Sequence, residues 1–189
     1  YGYEGPLFDA MAQIDQKPGL QRSIERVRDS GISKIAIFAR STKYLGQYES
    51  NLIKLRKKNK DLIVLGAPKY FLHKNDLSKS FITRTLANID KYQYSFVGEI
   101  LYTHIDKPHG KKHASGEIYI DPLGKGTINF LNEISKKKIP VMTHWEFYNW
   151  ERDWVKFSKI YSLYPNIKFI IPHMGFGSKK QVEEILSKH

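Results

Sequence analysis

The sequence predicts an α/β fold in which parallel strands alternate with helices along the chain. Apolar runs of strand length alternate with amphipathic stretches of helix length, giving about six strand–helix units. Several runs are apolar on both faces and rich in Ile, Val and Phe, as is typical of parallel strands covered by helices. Three of these runs contain a glutamate or end on a histidine. In a barrel the C-terminal strand ends meet at one mouth, where such polar side chains form a site. The sequence therefore favours a barrel over an open doubly wound sheet.

Six apolar runs are the strand candidates, and most of them are rich in the β-branched and aromatic residues that suit a buried pleated surface. They are PLFDAMAQI (6–14), KIAIFA (34–39), DLIVLGA (61–67), YSFVGEILY (94–102), IPVMTH (139–144) and IKFIIPH (167–173). Each is short enough for one strand of a globular domain.

The stretches between these runs are helix candidates. They are residues 20–31, 46–59, 75–92, 125–138, 149–164 and 178–189. The exception is residues 103–124, a long irregular segment rich in Gly, His and Lys. We expect this segment to lie over the mouth of the barrel, because it leaves the C-terminal end of a strand.

The composition is that of a globular protein. The chain has 189 residues, of which 41% are hydrophobic and 26% are charged, and this balance allows a substantial core. Disulfides and thiolate metal ligands are excluded because the chain has no cysteine. The chain also lacks an apolar run of 18 residues, so the sequence does not predict a transmembrane helix. These features do not distinguish the cytoplasm from the periplasm or the cell exterior after removal of a leader.

The formal net charge of +12 raises the question of a nucleic-acid partner. The lysines are spread widely, and two small clusters at residues 55–60 and 135–140 fall at the ends of predicted helices, where cations complement the helix dipole. The charge therefore indicates a solvated basic surface and favours neither nucleic acid nor a membrane as a partner. The oligomeric state, including a homo-oligomer, stays open.

Three side chains near strand ends predict a divalent metal site. His144 ends the fifth run, His173 ends the sixth, and Glu99 lies inside the fourth. Two imidazoles and a carboxylate are a ligand set that suits zinc, and a metal held in this way activates water or polarises a carbonyl group. The alternative is structural, with each histidine hydrogen-bonded at a strand end and Glu99 paired with a lysine.

Four further residues belong to the candidate site. Glu146 could orient an imidazole or accept a proton, and His104 could assist it. Trp145 could form part of an aromatic wall over a substrate, and Arg152 could clamp an anionic group. The alternative for Arg152 is a local ion pair with the adjacent Asp153.

At these residues the sequence resembles the amidohydrolase superfamily, and within it the amidohydrolase-related (amidohydrolase 2) family of metal-dependent TIM-barrel hydrolases. The segments that carry the resemblance are PLFDAMAQID (6–15), FVGEI (96–100), IPVMTHWE (139–146) and NIKFIIPHMGFG (166–177). The resemblance implies a TIM-barrel-like (β/α)8 fold, one or two divalent metals that are usually zinc, and hydrolysis or decarboxylation. By position it also implies that His144 and His173 are metal ligands and that Glu99 is the fourth-strand carboxylate.

The chain departs from this family pattern in two places. The first strand of the family carries two histidines separated by one residue, where this chain has Met11 and Gln13. The family's last two strands, one of which usually carries an aspartate that activates water, have no counterpart before His189. We therefore expect one amidohydrolase-like barrel domain over residues 1–189, truncated after the sixth βα unit and holding one zinc ion at most.

These inferences predict a metal-dependent hydrolase of the amidohydrolase type, acting on a small-molecule ester, lactone, amide or related carboxylate. Two alternatives stay open. The stretch VGEI (97–100) is also similar to TatD-like hydrolases, which would make the protein a phosphodiesterase or nuclease. Loss of the first-strand histidines would instead suit a non-catalytic barrel that acts as a binding protein.

Overall fold

The structure, a computed structural model, describes residues 4–14, 20–40, 45–70, 75–105 and 117–189. The chain divides into two compact units, and the boundary between them runs through one helix and one strand. The first unit comprises Tyr1–Lys69 and Asn88–Gly98, and the second comprises Tyr70–Ala87 and Glu99–His189. The assignment of residues 1–189 to a single barrel domain stays a prediction.

The first unit is built from parallel strands and helices. It contains β1 (Leu7–Ile14), α1 (Leu20–Asp29), β2 (Ile32–Ala39), α2 (Leu45–Lys58), β3 (Ile63–Ala67), the end of α3 (Lys79–Tyr92) and the start of β4 (Phe96–His104). β1 pairs with β2, β2 with β3, and β3 with the start of β4, all in parallel. The five residues Ile35–Ala39 of β2 are all buried, so this part of the strand has no polar face.

Gly98 allows the close approach of β3 and β4 within the first unit. A Cβ atom at this position would lie 2.1 Å from the carbonyl oxygen of Ala67 and 3.0 Å from the ring of Phe38. A larger residue would therefore separate the two strands at this point.

The second unit continues the alternation. It contains the rest of β4, β5 (Ile118–Tyr119), α4 (Lys125–Lys137), β6 (Val141–Trp145), α5 (Trp150–Leu163), β7 (Phe169–Ile170) and α6 (Lys179–Lys188). β6 follows β4 in the strand order and pairs in parallel with β7, whereas β5 pairs antiparallel with β4. The 3-10 segment Phe147–Asn149 follows β6, and a turn with left-handed backbone angles, Pro172–Phe176, follows β7.

The carboxylate of Asp76 fixes the start of α4 from a distant part of the chain. It accepts hydrogen bonds from the backbone N–H groups of Gly126 and Thr127, at 2.7 and 3.0 Å. A negative side chain at a helix N-terminus satisfies otherwise unpaired N–H groups and complements the helix dipole. This contact anchors the helix that leads into β6.

The predicted α/β fold with alternating parallel strands and helices is confirmed, and all six helix candidates are helices in the structure. The segment 103–124 differs from the prediction, since Ile118–Tyr119 forms a short antiparallel strand against Thr103 and His104. The described ends of this segment lie at the C-terminal end of β4, and residues 106–116 lie outside the described residues.

No helix in the described part of the chain is long and apolar enough to cross a membrane.

Candidate metal centre

β4 and β6 of the second unit bring Glu99 and His144 together in a buried position. All residues of β4 from Phe96 to Thr103 are buried, and Glu99 is 0% exposed. His144 is 7% exposed, and its Nδ1 atom lies 2.5 Å from Oε1 of Glu99. Because a buried carboxylate is costly without a polar partner, this contact with an imidazole stabilises Glu99 in the core.

The other ring nitrogen of His144 faces a second carboxylate. Its Nε2 atom lies 3.1 Å from Oε1 of Glu146, and the same oxygen lies 2.7 Å from Nδ1 of His104. Oε2 of Glu146 accepts a hydrogen bond from the backbone N–H of Ile105 at 2.9 Å. Glu99, His144, Glu146 and His104 therefore form one continuous chain of polar contacts.

The environment of Glu146 favours its charged form. Burial raises the pKa of the Glu146 carboxyl, but the hydrogen bonds from the Ile105 amide and from the imidazoles of His144 and His104 outweigh this effect and hold the pKa below its usual range. The backbone N–H of Glu146 also donates to Oγ1 of Thr103 at 2.8 Å, which ties the ends of β4 and β6 together. A carboxylate held in this way is ionised near neutral pH.

His173 reaches the site from a turn with left-handed backbone angles and not from a strand end. β7 ends at Ile170, and His173 lies after Pro172 with φ of 56°. The predicted sixth strand through residue 173 is therefore wrong at its C-terminal end, because proline has no N–H group to continue the ladder. The imidazole ring still lies 5.7 Å from that of His144 between centroids, and it stacks on Phe176 at 5.3 Å.

Replacing Gly175 by alanine is expected to displace this turn and to weaken zinc binding at least about tenfold, the lower end of what loss of a supporting contact costs a metal site. Gly175 has φ of 58°, and a Cβ atom there would lie 2.2 Å from the ring of Phe147. Isothermal titration calorimetry with zinc measures the change. Gly31→Ala is the control, since Gly31 has φ of 80° and open space around its Cβ position. Unchanged zinc affinity in G175A would show that the turn does not position His173.

Glu99, His144 and His173 fit a divalent ion. One ligand atom from each of them lies within 4.8 Å of the other two. Two atoms bound to the same zinc ion at about 2.1 Å lie within about 4.2 Å of each other, so small side-chain movements suffice for ligation. Two nitrogens and one oxygen also leave a fourth position for water or substrate, as in catalytic zinc sites.

Trp145 lies in the core and not over the candidate site. It is 0% exposed, and its ring stacks on Phe157 at 4.1 Å and on Trp150 at 5.5 Å. Because successive residues of a strand point to opposite faces, His144 on the site face places Trp145 on the helix face. Trp145 therefore packs α5 against β6, and its contact with a substrate stays a prediction.

Arg152 is engaged in local ion pairs and not in an open anion clamp. Its guanidinium donates to Asp153 at 2.6 and 2.9 Å and to Glu117 at 2.7 and 3.1 Å, and it lies over the ring of Tyr119. The same guanidinium holds the pKa of Glu117 below its usual range, while burial opposes this effect. The structure thus contains the ion pair that the alternative for Arg152 describes, and the substrate contact stays a prediction.

Met11 and Gln13 lie in β1 of the first unit and are half-buried. Oε1 of Gln13 accepts a hydrogen bond from Nζ of Lys69 at 3.4 Å, and the backbone N–H of Met11 donates to Asp9 at 3.0 Å. The Gln13 amide oxygen therefore has a protein partner within its own unit.

The structure also groups His104, His144 and Glu146, whose ligand atoms lie within 4.8 Å of one another. The sequence predicts His104 and Glu146 as residues for proton transfer, and it does not predict this second ligand group. The sequence contains one indication that His144 and Glu146 lie together: they are two residues apart, so in a strand their side chains point to the same face. Glu146 and His104 are 42 residues apart in the sequence, and their contact is seen only in the structure.

The sequence matches no known protein family and no curated protein. Solved structures do match the fold. A probable 2-pyrone-4,6-dicarboxylic acid hydrolase from Acinetobacter baumannii, with citric acid bound, has a TM-score of 0.60 at 10% identity, covering 98% of this chain and 67% of that chain. The 2,6-dihydroxybenzoate decarboxylase from Rhizobium has a TM-score of 0.58 at 10% identity, covering 91% of this chain and 67% of that chain.

A candidate amidohydrolase from Staphylococcus aureus matches with a TM-score of 0.54 at 9% identity, covering 89% of this chain and 67% of that chain. These neighbours are described as a decarboxylase, a hydrolase and an amidohydrolase. At such low identity the similarity shows the fold, and the predicted TIM-barrel-like fold is thereby confirmed. The chain is thus similar in fold to a decarboxylase and to hydrolases.

Proposed function

We propose that the protein is a metal-dependent hydrolase of the amidohydrolase type that holds one divalent ion, zinc, on Glu99, His144 and His173. Its substrate is a small molecule with an ester, lactone, amide or related carboxylate group. The observation that carries this proposal is the convergence of two imidazoles and a buried carboxylate within 4.8 Å, on a fold shared with decarboxylases and hydrolases. When bound, the ion would supply Lewis acidity toward a carbonyl oxygen or lower the pKa of water.

Glu146 and His104 are the proposed proton-transfer residues. The hydrogen bonds that lower the pKa of Glu146 keep its carboxyl group ionised at neutral pH, which is the form that accepts a proton. Its Oε1 atom lies 2.7 Å from Nδ1 of His104, which is half-buried, so a proton taken up by Glu146 has a short path to an imidazole at the edge of the site. Ile105 fixes the carboxylate orientation through its backbone N–H group.

Decarboxylation of an aromatic carboxylate is a second candidate. The similarity to 2,6-dihydroxybenzoate decarboxylase, at a TM-score of 0.58, favours it. The same proposed ligands could orient the carboxylate of such a substrate, and His104 or Glu146 could deliver the proton that replaces carbon dioxide. Hydrolysis and decarboxylation therefore need separate assays.

The test begins with the full chain freed of metal by a chelator, reloaded with zinc and dialysed. Plasma mass spectrometry then measures the zinc content, and we expect no more than one tightly held ion per chain. Turnover is assayed with p-nitrophenyl acetate, a δ-lactone, 2,6-dihydroxybenzoate and single-stranded DNA. Zinc-dependent turnover of an ester or lactone is the expected result, and release of carbon dioxide from 2,6-dihydroxybenzoate would favour the second candidate.

Glu146→Gln tests the proton-transfer role, and we expect kcat to fall by about 10²–10⁴-fold, the usual contribution of a general base. Glu133→Gln is the control, because Glu133 is an exposed residue of α4 that pairs with Lys136. Cleavage of DNA alone would point to a TatD-like phosphodiesterase instead. Zinc binding without any turnover would point to a binding protein, and no zinc binding would refute the proposed site.

A further inference from the structure

A second group of three side chains has the geometry to hold a cation. Ligand atoms of His104, His144 and Glu146 lie within 4.8 Å of one another. Oε1 of Glu146 lies 2.7 Å from Nδ1 of His104 and 3.1 Å from Nε2 of His144, and the two imidazole rings are nearly perpendicular at 5.3 Å between centroids. Two imidazole nitrogens and one carboxylate oxygen form a donor set known from catalytic zinc sites.

The ligands of this second group are already oriented by the surrounding protein. The N–H of Ile105 holds Oε2 of Glu146 at 2.9 Å, so that Oε1 points toward both imidazoles. Thr103 accepts a hydrogen bond from the backbone N–H of Glu146 at 2.8 Å. Supporting hydrogen bonds of this kind fix ligand geometry and raise metal affinity. His144 and Glu146 are buried, while His104 at the rim is half-buried and leaves a path for an ion to enter.

Both groups include His144, but they face opposite sides of its ring. Nδ1 faces Glu99 at 2.5 Å, and Nε2 faces Glu146 at 3.1 Å. A neutral imidazole offers one nitrogen lone pair to a metal, because its other nitrogen carries a proton. If an ion binds one ring nitrogen of His144, the other nitrogen carries the proton and donates to the carboxylate that it faces, Glu99 or Glu146. The two positions exclude each other as long as the imidazole keeps this proton.

We propose that His104, His144 Nε2 and Glu146 form a second divalent-cation position, which competes with the Glu99–His144–His173 position for His144. This inference rests on the proposed function, because the first position is itself the proposed metal site. An ion at the second position occupies Glu146 and His104, the residues proposed to move protons. Chains that hold the ion at the second position are therefore inactive, and their share of the zinc-loaded chains is set by the ratio of the two affinities and not by the zinc concentration.

The experiment measures zinc binding to the full metal-free chain by isothermal titration calorimetry. His173→Ala removes a ligand of the first position alone, His104→Ala removes a ligand of the second position alone, and the double variant weakens both. His189→Ala is the control, since this C-terminal histidine contacts Ser158 and belongs to neither ligand group. Circular dichroism and thermal unfolding check that each variant is folded.

Each single variant is expected to retain one zinc ion per chain. Each should bind it at least about tenfold more tightly than the double variant, because even loss of a supporting residue costs a metal site about 10–100-fold in affinity. Imidazole resonances in ¹H–¹⁵N spectra provide the independent readout. Added zinc should shift the His104 resonances in H173A and the His173 resonances in H104A.

Zinc affinity in H173A as weak as in the double variant would overturn the second position, whatever the result for H104A. Affinity in H104A as weak as in the double variant, with H173A still binding zinc, would instead overturn the proposed first site and leave the second standing. Two zinc ions bound at once by the unsubstituted chain near neutral pH would overturn the mutual exclusion.

Discussion

Replacing His144 by alanine is expected to abolish zinc binding and to lower the stability of the protein. His144 belongs to both candidate ligand groups, so its loss leaves each with two ligands. The same change removes the imidazole that faces the buried carboxylates of Glu99 and Glu146, at 2.5 and 3.1 Å. Loss of a partner from a buried polar group costs about 1–3 kcal/mol of unfolding free energy. Titration calorimetry with zinc and urea denaturation measure the two effects separately.

His144→Asn separates the metal from the hydrogen bonds. The asparagine amide is smaller than imidazole, but its NH₂ group is able to donate to a neighbouring carboxylate. We therefore expect H144N to recover part of the stability lost in H144A while still failing to bind zinc. Wild-type zinc affinity in H144A would contradict both proposed cation positions.

Much of the second unit follows from local sequence patterns. β6 and α5 were predictable because an apolar run of strand length precedes an amphipathic stretch of helix length. The approach of Glu99 and His144 follows in part from the same pattern, since β4 and β6 are neighbours in the sheet, but Glu99 lies inside β4 and not at its C-terminal end. Their separation of 45 residues in sequence does not matter once the strands are neighbours.

Other features depend on contacts that no local pattern contains. Arg152 pairs with Glu117, 35 residues earlier, and the sequence near Arg152 shows only the adjacent Asp153. The two-residue strand Ile118–Tyr119 exists because it pairs with the end of β4, and isolated runs of this length carry little strand signal. The turn that carries His173 needs both Pro172 and a left-handed backbone.

The orientation of Trp145 was predictable from strand parity. In β6 the side chains of Val141, Thr143 and Trp145 share one face, because residues two apart along a strand point the same way. His144 and Glu146 share the other face, where they meet Glu99 and His104. The chemical character of tryptophan favoured a substrate contact, but the alternation of the strand determines which face it occupies.

Replacing Trp145 by alanine is therefore expected to be among the most destabilising single changes in the second unit. The ring is 0% exposed and lies nearly parallel to the rings of Phe157, Trp150 and Trp154, at 4.1, 5.5 and 6.1 Å between centroids. Removing a buried tryptophan side chain costs about 3–5 kcal/mol, because it loses apolar contacts and leaves a cavity. Urea denaturation followed by circular dichroism measures the loss.

Two further variants show whether this effect comes from packing. Trp145→Phe keeps an aromatic ring, and it removes no hydrogen bond because Nε1 of Trp145 has no partner among the described residues. We therefore expect a clearly smaller loss of stability in W145F than in W145A. Val155→Ala, on the same helix as Trp154 but 71% exposed, should change stability by no more than about 0.5 kcal/mol. A raised KM in W145F with stability unchanged would indicate a substrate contact instead of a core role, since packing alone would affect stability first.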